Sequence, residues 1–263
     1  MPVTDRPSLT AGYFDSWYAD MARSSAKDEI MARHLGLPPS LLATNTVPWQ
    51  GIGEVVDALQ LSPGDTLLDL ACGRAGYGLE IAARTGAALI GVDFSAQALR
   101  QAGRQSRRRG RADTFVVGDL SATGLATGCV QSAVCLDSIQ FANPAGAAYR
   151  ELARVLAPGG RVVLTCWEPV ERGDDRLTPR LRWVDLSAGL TAAGFVDVAA
   201  ESRPDWHDLE RSLWQEAAAL EPGDDPALGS LRDEGVRSLA TFDLLTRVMA
   251  SATAPAAAAQ GRQ

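Results

Sequence analysis

Short apolar runs recur through the middle of the chain, and three of them end on a carboxylate. Thr66-Leu67-Leu68 leads to Asp69, Ala88 to Val92 leads to Asp93, and the run after residue 113 leads to Gly118-Asp119. Runs of this length bounded by glycine predict buried strands over 66–70, 88–93, 113–118, 133–137 and 160–167. Amphipathic stretches near 77–84, 95–108 and 144–156 separate most of them and predict helices, with Ser95 as an N-cap and Asn143-Pro144 as a helix start. Pro158-Gly159-Gly160 predicts a turn into the fifth strand. Strand and helix alternating over short connections imply a parallel sheet with right-handed crossovers.

The flanks read differently. Residues 1–60 form a helical preface in which Tyr13, Phe14, Trp17, Tyr18 and Met21 recur at helical spacing, interrupted by Pro38-Pro39 and resumed at Ile52 to Leu59. The core is expected to span 61–202. Its later part holds a charged, mobile loop from Glu171 to Pro179, a helix at Leu186 to Ala193 and a strand at Phe195 to Ala200. Residues 203–244 form a helical cap, split by Glu221-Pro222-Gly223, before a last strand within 245–252 and a disordered tail at 253–263. The preface and the cap are expected to enclose a ligand.

Net charge narrows the partners. The chain of 263 residues carries a formal charge of −7, which disfavours nucleic acid. The local exception, Arg104 to Arg111, falls at a predicted helix end, where cations suit the dipole. The polar Met1 to Leu9 has no signal-peptide pattern and no apolar run is long enough for a membrane span, so a cytoplasmic protein without a membrane partner is expected. The four cysteines lack metal-ligand spacing, and Cys135 and Cys166 read as small hydrophobes in strands. Lys27 is the one lysine among 25 basic residues, a bias that suits a GC-rich bacterial source and leaves no Gly-Lys-Ser/Thr phosphate loop.

The glycine turn after the first strand selects the ligand class. A dinucleotide fold wants G-x-G-x-x-G. Here the order is reversed, Gly73-x-x-Gly76-x-Gly78, and an acid at the strand end would repel a pyrophosphate while favouring an amino group. Three acids at successive strand ends suggest a nucleoside held through hydroxyl and amine contacts.

These residues together resemble the class I S-adenosylmethionine-dependent methyltransferases. Asp69-x-Ala71-x-Gly73-x-Ala75 matches the first motif of that superfamily with alanine replacing glycine twice. Gly91-Val92-Asp93-Phe94-Ser95 resembles the second, and Gly118-Asp119-Leu120 the third. Val134 to Ser138 resembles the strand beside the reacting methyl, and Arg154 to Gly160 the connection before the fifth strand. The resemblance covers residues 55–168 and implies a Rossmann-like α/β fold with a seven-stranded, mostly parallel sheet ordered 3-2-1-4-5-7-6. It implies S-adenosylmethionine as cofactor, S-adenosylhomocysteine as product, and no metal. Asp69 would lie near the cofactor ammonium, with Ala71, Gly73 and Ala75 as backbone against its methionine part. Asp93 would accept the ribose hydroxyls with Phe94 on the adenine. Asp119 would accept the adenine amine with Leu120 beside it, and Asp137 would sit near the methyl.

Methyl transfer needs alignment and exclusion of water, and a base only where the acceptor holds its proton tightly. His207, His34 and Asp137 are the base candidates. Gln140 and Trp167 fall at or near strand ends and are expected to touch the substrate. Tyr18 is expected over the cofactor, with Tyr13 and Trp17 beside the acceptor; packing within the preface is the alternative. The expected activity is methyl transfer to a small molecule, in bacterial specialised metabolism, with a homodimer left open. A cyclase or rearrangement enzyme binding the same cofactor, a non-catalytic binding module and a nicotinamide oxidoreductase are the alternatives.

Overall fold

The computed structural model describes residues 10–255. The polar start at 1–9 and the tail from 256 onward lie outside the described residues. Seven strands form one sheet: β1 (Thr66–Leu70), β2 (Ala88–Asp93), β3 (Thr114–Val117), β4 (Val130–Leu136), β5 (Leu156–Pro169), β6 (Val196–Ser202) and β7 (Leu245–Thr253), in the order β3-β2-β1-β4-β5-β7-β6. The first five run parallel, and β7 lies antiparallel between β5 and β6. This is the Rossmann-like arrangement and strand order that the resemblance implied.

Burial explains which runs became strands. β1 and β4 sit in the middle of the sheet with both faces covered, so their residues are almost continuously buried and apolar. At the edge, β6 is mostly exposed and carries Asp197 and Glu201, charges that discourage pairing with another chain. β5 runs longer than its apolar stretch predicts because it pairs with β7 from Arg161↔Thr253 to Pro169↔Leu245. The expected turn at Pro158-Gly159-Gly160 is a left-handed kink at Gly159 inside that strand.

The crossover helices are α4 (Gly76–Thr85), α5 (Ala96–Arg108), α6 (Gly146–Val155) and α7 (Leu186–Ala192). Ser95 caps α5 by accepting from the Ala98 N–H at 3.1 Å. The arginine cluster at its end resolves into local pairs, Arg109 with Glu80 and Arg111 with Asp113.

The preface contains α1 (Ala11–Met21), α2 (Ala26–Leu35) and α3 (Trp49–Leu59); the segment between β6 and β7 contains α8 (Pro204–Ala218) and α9 (Pro226–Ala240). These two additions pack on each other, α2 against α8 and α9, and α1 against α9. Leu35, Leu213, Trp214 and Leu231 close that contact within the larger of two apolar cores.

A buried polar cluster crosses this region. Arg247 of β7 is fully buried and donates to both Asp137 oxygens, at 2.8 and 3.1 Å. Asp137 also accepts from Thr165 Oγ1 at 2.7 Å and from the Thr46 N–H at 3.0 Å. Glu210 of α8 lies 3.6 Å from Arg247 Nε and accepts from the indole N–H groups of Trp167 and Trp214.

One buried cation faces two carboxylates here, and Asp137 holds the bidentate contact. Burial therefore pushes Glu210 up to about 7. Asp69, buried beside Asp93, is also pushed up to about 7. Both acids ionise near pH 4 in an unfolded chain. The folded protein thus binds more protons between about pH 4 and 7, and their contribution to stability is lost as pH rises through that window. Glu151 works oppositely: Arg154 and Thr123 hold it down at about 2 against burial, so its contribution is lost only on strong acidification. We expect a higher Tm at pH 5 than at pH 8, with a smaller difference in Glu210→Gln, whose amide still accepts from both indoles. A Tm difference unchanged by that substitution refutes the assignment.

Candidate active site

Strand order reverses between β1 and β4, and a crevice opens there at the carboxyl ends of the strands, as in open α/β sheets generally. It is a cavity of about 1050 Å³ whose walls include the ends of β1 (Leu70, Ala71), β2 (Val92 to Phe94) and β3 (Gly118 to Leu120), and the run Ser138 to Phe141 after β4. That volume reaches the top of the range for single-ligand sites, about 300–1,000 Å³, leaving space for a second molecule beside a nucleoside.

The turn after β1 is built for close approach. Ala71, Gly73 and Ala75 alternate in the left-handed region, with φ of 60°, 53° and 58°. The alanines tolerate this because the flanking residues are anchored. Arg74 is clamped by the buried Asp28 of α2 and reaches the Ala43 carbonyl at 3.2 Å, and Tyr77 donates to the Val47 carbonyl at 2.9 Å. The preface thus holds the turn from outside. Glycine is required where α4 begins: a Cβ at Gly76 would meet the Leu41 carbonyl oxygen at 1.9 Å, and one at Gly78 would meet Asp69 Oδ2 at 2.4 Å. Gly76→Ala is expected to yield little soluble protein, since backbone rather than a flexible side chain must move; wild-type expression and Tm would refute this.

Asp93 is buried, yet it is one of the residues that line the cavity. It accepts from the Gly73 N–H at 2.9 Å and the Ser95 N–H at 2.8 Å, tying the first motif to the second. Each carboxylate oxygen retains a lone pair for a ligand hydroxyl. Burial raises its pKa against these hydrogen bonds. Asp119 is exposed, forms a turn with Ser121 through Oδ1, and is one of the residues that line the cavity. Phe94 and Leu120 supply apolar wall between the two acids.

Helix α1 closes this end. Asp15 accepts from Ser95 Oγ and the Gln97 N–H at the start of α5, which holds its carboxyl below the usual range. Phe14 then packs on Phe94 with ring centres 5.1 Å apart. Tyr18 also reaches the cavity, one helical turn from Phe14, and its hydroxyl lies against the Gly73 backbone. The sequence pattern placed Tyr13 and Trp17 beside the acceptor, and the structure does not: they project from neighbouring faces of α1, and the Trp17 indole donates to Ser230 of α9 at 2.8 Å.

Other expected site residues separate in the same way. Gln140 lines the cavity, its amide donating to the Asp137 carbonyl at 2.9 Å. Asp137 itself does not, because its carboxylate turns under the sheet to Arg247. Asp69 supports the turn from behind, and Gly73 and Ala75 lie below the wall, while Ala71 is part of it. Trp167 points to Glu210, away from the cavity. Both histidines lie elsewhere: His34 pairs with Glu216 at 2.6 Å, and His207 stacks on Phe242 at 3.9 Å with its pKa lowered by burial. None of α8 or α9 lines the cavity, so the expected cap buttresses the preface instead of covering a ligand.

The opposite wall of the cavity is built from α6, α7 and the segment from Arg172 to Asp185, including Tyr149, Trp183 and Val184. The stretch expected as a mobile loop, Glu171 to Pro179, is folded over by local bonds: Arg182 donates to the Leu177 and Asp175 carbonyls, and Leu177 is buried. Gly189 of α7 makes room for the Tyr149 ring, which a Cβ there would overlap. Among the described residues no group of three or more His, Cys, Asp or Glu side chains could hold a metal, and no helix is long and apolar enough to cross a membrane.

Residues 68–164 match the family model of a methyltransferase domain. The phosphoethanolamine N-methyltransferase of Triticum aestivum is 27% identical over 197 residues, which are 72% of this chain and 39% of that protein, so the chain spans well under half of this longer relative. Among solved structures, the [4+2]-cyclase SpnF aligns with a TM-score of 0.70 and 21% identity, covering 94% of this chain and 97% of that one. Phosphoethanolamine N-methyltransferase 2 of Haemonchus contortus, in complex with S-adenosyl-L-methionine, aligns with a TM-score of 0.71 and 17% identity over 88% of this chain and 57% of that one. Residues 68–164 thus carry a methyltransferase domain, and the motifs at successive strand ends and the strand order agree with the class I S-adenosylmethionine-dependent methyltransferase superfamily.

Proposed function

We propose that this protein binds S-adenosylmethionine and transfers its methyl group to a small-molecule acceptor. One observation carries the reading: a single cavity joins the Asp93–Phe94 and Asp119–Leu120 pairs to a further wall built from α6, α7 and the segment from Arg172 to Asp185. The donor set fits the cofactor, since two carboxylates separated by apolar wall suit ribose hydroxyls and an adenine amine. The narrower reading, bacterial specialised metabolism, is supported by the arginine-over-lysine bias and by a cavity roomy enough for a small molecule beside the nucleoside.

When bound, the cofactor supplies a methyl already activated by a positive sulfur. Asp93 and Asp119 fix the nucleoside, and the anchored turn at Ala71 to Ala75 fixes the adjoining part. Phe14 and Tyr18 cover that end and exclude water. Among the described residues the cavity wall carries no histidine or lysine, and we assign the rate enhancement to alignment and desolvation, with an acceptor that is itself nucleophilic.

The near-complete alignment with SpnF, a [4+2]-cyclase by name, favours a second reading in which the same site binds the cofactor and catalyses a cyclisation. Product mass separates the two: methyl transfer adds one CH2 and forms S-adenosylhomocysteine, whereas cyclisation changes neither. Calorimetry with S-adenosylhomocysteine should show one site per chain; absence of binding by folded protein refutes both, and binding without turnover of any acceptor favours a non-catalytic module.

A further inference from the structure

Trp183 stands apart from the other tryptophans. Trp17, Trp167, Trp206 and Trp214 each donate an indole N–H to another side chain, and Trp49 lies under the Arg84 guanidinium. Trp183 has no partner of either kind among the described residues and is 71% exposed, although it lines the cavity. An indole left in water forgoes one of the largest hydrophobic gains a side chain offers. We propose that Trp183 is a specificity-determining platform on which a flat, apolar acceptor stacks, in the wall opposite the nucleoside end. The proposal rests on the methyltransferase reading for the molecule's role as acceptor, and on the indole for its shape.

The exposure is not that of a loose surface loop. Residues on both sides of Trp183 are tied to the start of their segment: the Gly173 N–H donates to the Arg182 carbonyl at 2.9 Å, the Arg182 side chain donates to the Leu177 and Asp175 carbonyls, and Arg172 pairs with Asp185. Gly173 is also a shelf for the ring. At φ 82° it suits glycine, and a Cβ there would meet the benzene edge of the indole at 2.8 Å. The chain thus positions the ring before any ligand arrives, which lowers the ordering cost of binding. Single exposed apolar residues are ordinary on a surface, and Val170, equally exposed, is one of them; Trp183 differs in lining the cavity. A second wall residue, Phe141, is 38% exposed. Phe141 meets Phe14 at 6.2 Å, and Phe14 meets Phe94 at 5.1 Å, so an aromatic row leads from the nucleoside end into the same cavity. Charges in the wall that carries Trp183 have partners: Arg172 holds Asp185, and Arg180 lies over the Phe141 ring at 4.9 Å.

The test uses calorimetry on the full chain with 2-naphthol, its saturated counterpart decahydro-2-naphthol, and inositol. Each probe is titrated with and without saturating S-adenosylhomocysteine, which is itself titrated separately; the saturated protein has its nucleoside end filled. There 2-naphthol is expected to bind roughly 2- to 10-fold tighter than the saturated probe, the gain from stacking, and inositol not to bind. Trp183→Ala should weaken 2-naphthol by roughly 5- to 100-fold, the range found when a stacking aromatic is truncated, and Trp183→Phe should keep the preference for the flat probe. Both variants should bind S-adenosylhomocysteine and melt like wild type, because the ring is exposed. Val170→Ala removes apolar surface outside the cavity and should change nothing. Equal or tighter binding of the saturated probe or of inositol, no binding of 2-naphthol, or equal losses in Trp183→Ala and Val170→Ala overturns the platform, while S-adenosylhomocysteine binding still upholds the methyltransferase reading. A preference for 2-naphthol that Trp183→Ala abolishes, in a protein that ignores S-adenosylhomocysteine, upholds the platform and overturns its role in methyl transfer.

Discussion

Asp93→Ala is expected to lower the affinity for S-adenosylhomocysteine by roughly 10- to 100-fold, because hydrogen bonds to a charged acceptor are worth about 1.5–3 kcal/mol. The carboxylate does two jobs at once. Asp93 lines the cavity, and its carboxylate takes the Gly73 and Ser95 N–H groups. Alanine strands both buried donors, so a stability loss of about 1–3 kcal/mol should accompany the binding loss. Asp93→Asn separates the two effects. Its amide oxygen keeps one backbone N–H satisfied, so stability should fall less than in alanine while affinity still falls. Calorimetry and thermal melts on the same samples read both quantities. A folded Asp93→Ala protein that binds S-adenosylhomocysteine like wild type removes Asp93 from the binding site. The raised pKa of Asp93 adds a pH signature: affinity should begin to fall on acidification earlier than an ordinary carboxylate would allow.

Arg247→Met should cost about 3–5 kcal/mol of stability, the usual price of leaving a buried ionised partner alone. Removing the guanidinium leaves Asp137 and Glu210 facing each other without a cation, under a strand whose end shapes the cavity through Ser138 and Gln140. Asp137→Asn should cost less, since asparagine tolerates the left-handed backbone at φ 55° and keeps contacts to Thr46 or Thr165. The double variant Arg247→Met/Asp137→Asn should recover part of the single-variant loss, because a neutral pair replaces an orphaned charge. Urea denaturation of the four proteins measures the coupling. Strict additivity would mean that the two side chains do not interact in solution.

The motifs were readable because their chemistry is local. Asp69, Asp93 and Asp119 each follow a short buried run, and parallel packing brings successive strand ends to the same edge whatever lies between them. The turn after β1 was readable as a close approach from its small residues alone. Misplaced residues share the opposite property, since their roles depend on partners far away in the chain. Asp137 stands at the expected strand end, but Arg247, 110 residues later, turns it inward. Trp17 and Phe14 are equivalent in a helical pattern until α9 offers Ser230 to one and the cavity receives the other. His207 looked like a base by residue type, and Phe242 makes it a stacking partner.

The linear order of apolar runs, glycines and acids was enough to specify the strands, the helices between them and the turn after β1, since each depends on contacts within a strand and the turn that follows it, and the resemblance carried by the motifs supplied the strand order. Only folding decided which side chains of α6, α7 and the segment after β5 reach the cavity, which arginines are held by neighbouring acids, and that α8 and α9 brace the preface rather than line the cavity. Those outcomes depend on long-range packing of surfaces whose residue types are interchangeable along the chain, and only burial and partner geometry distinguish them.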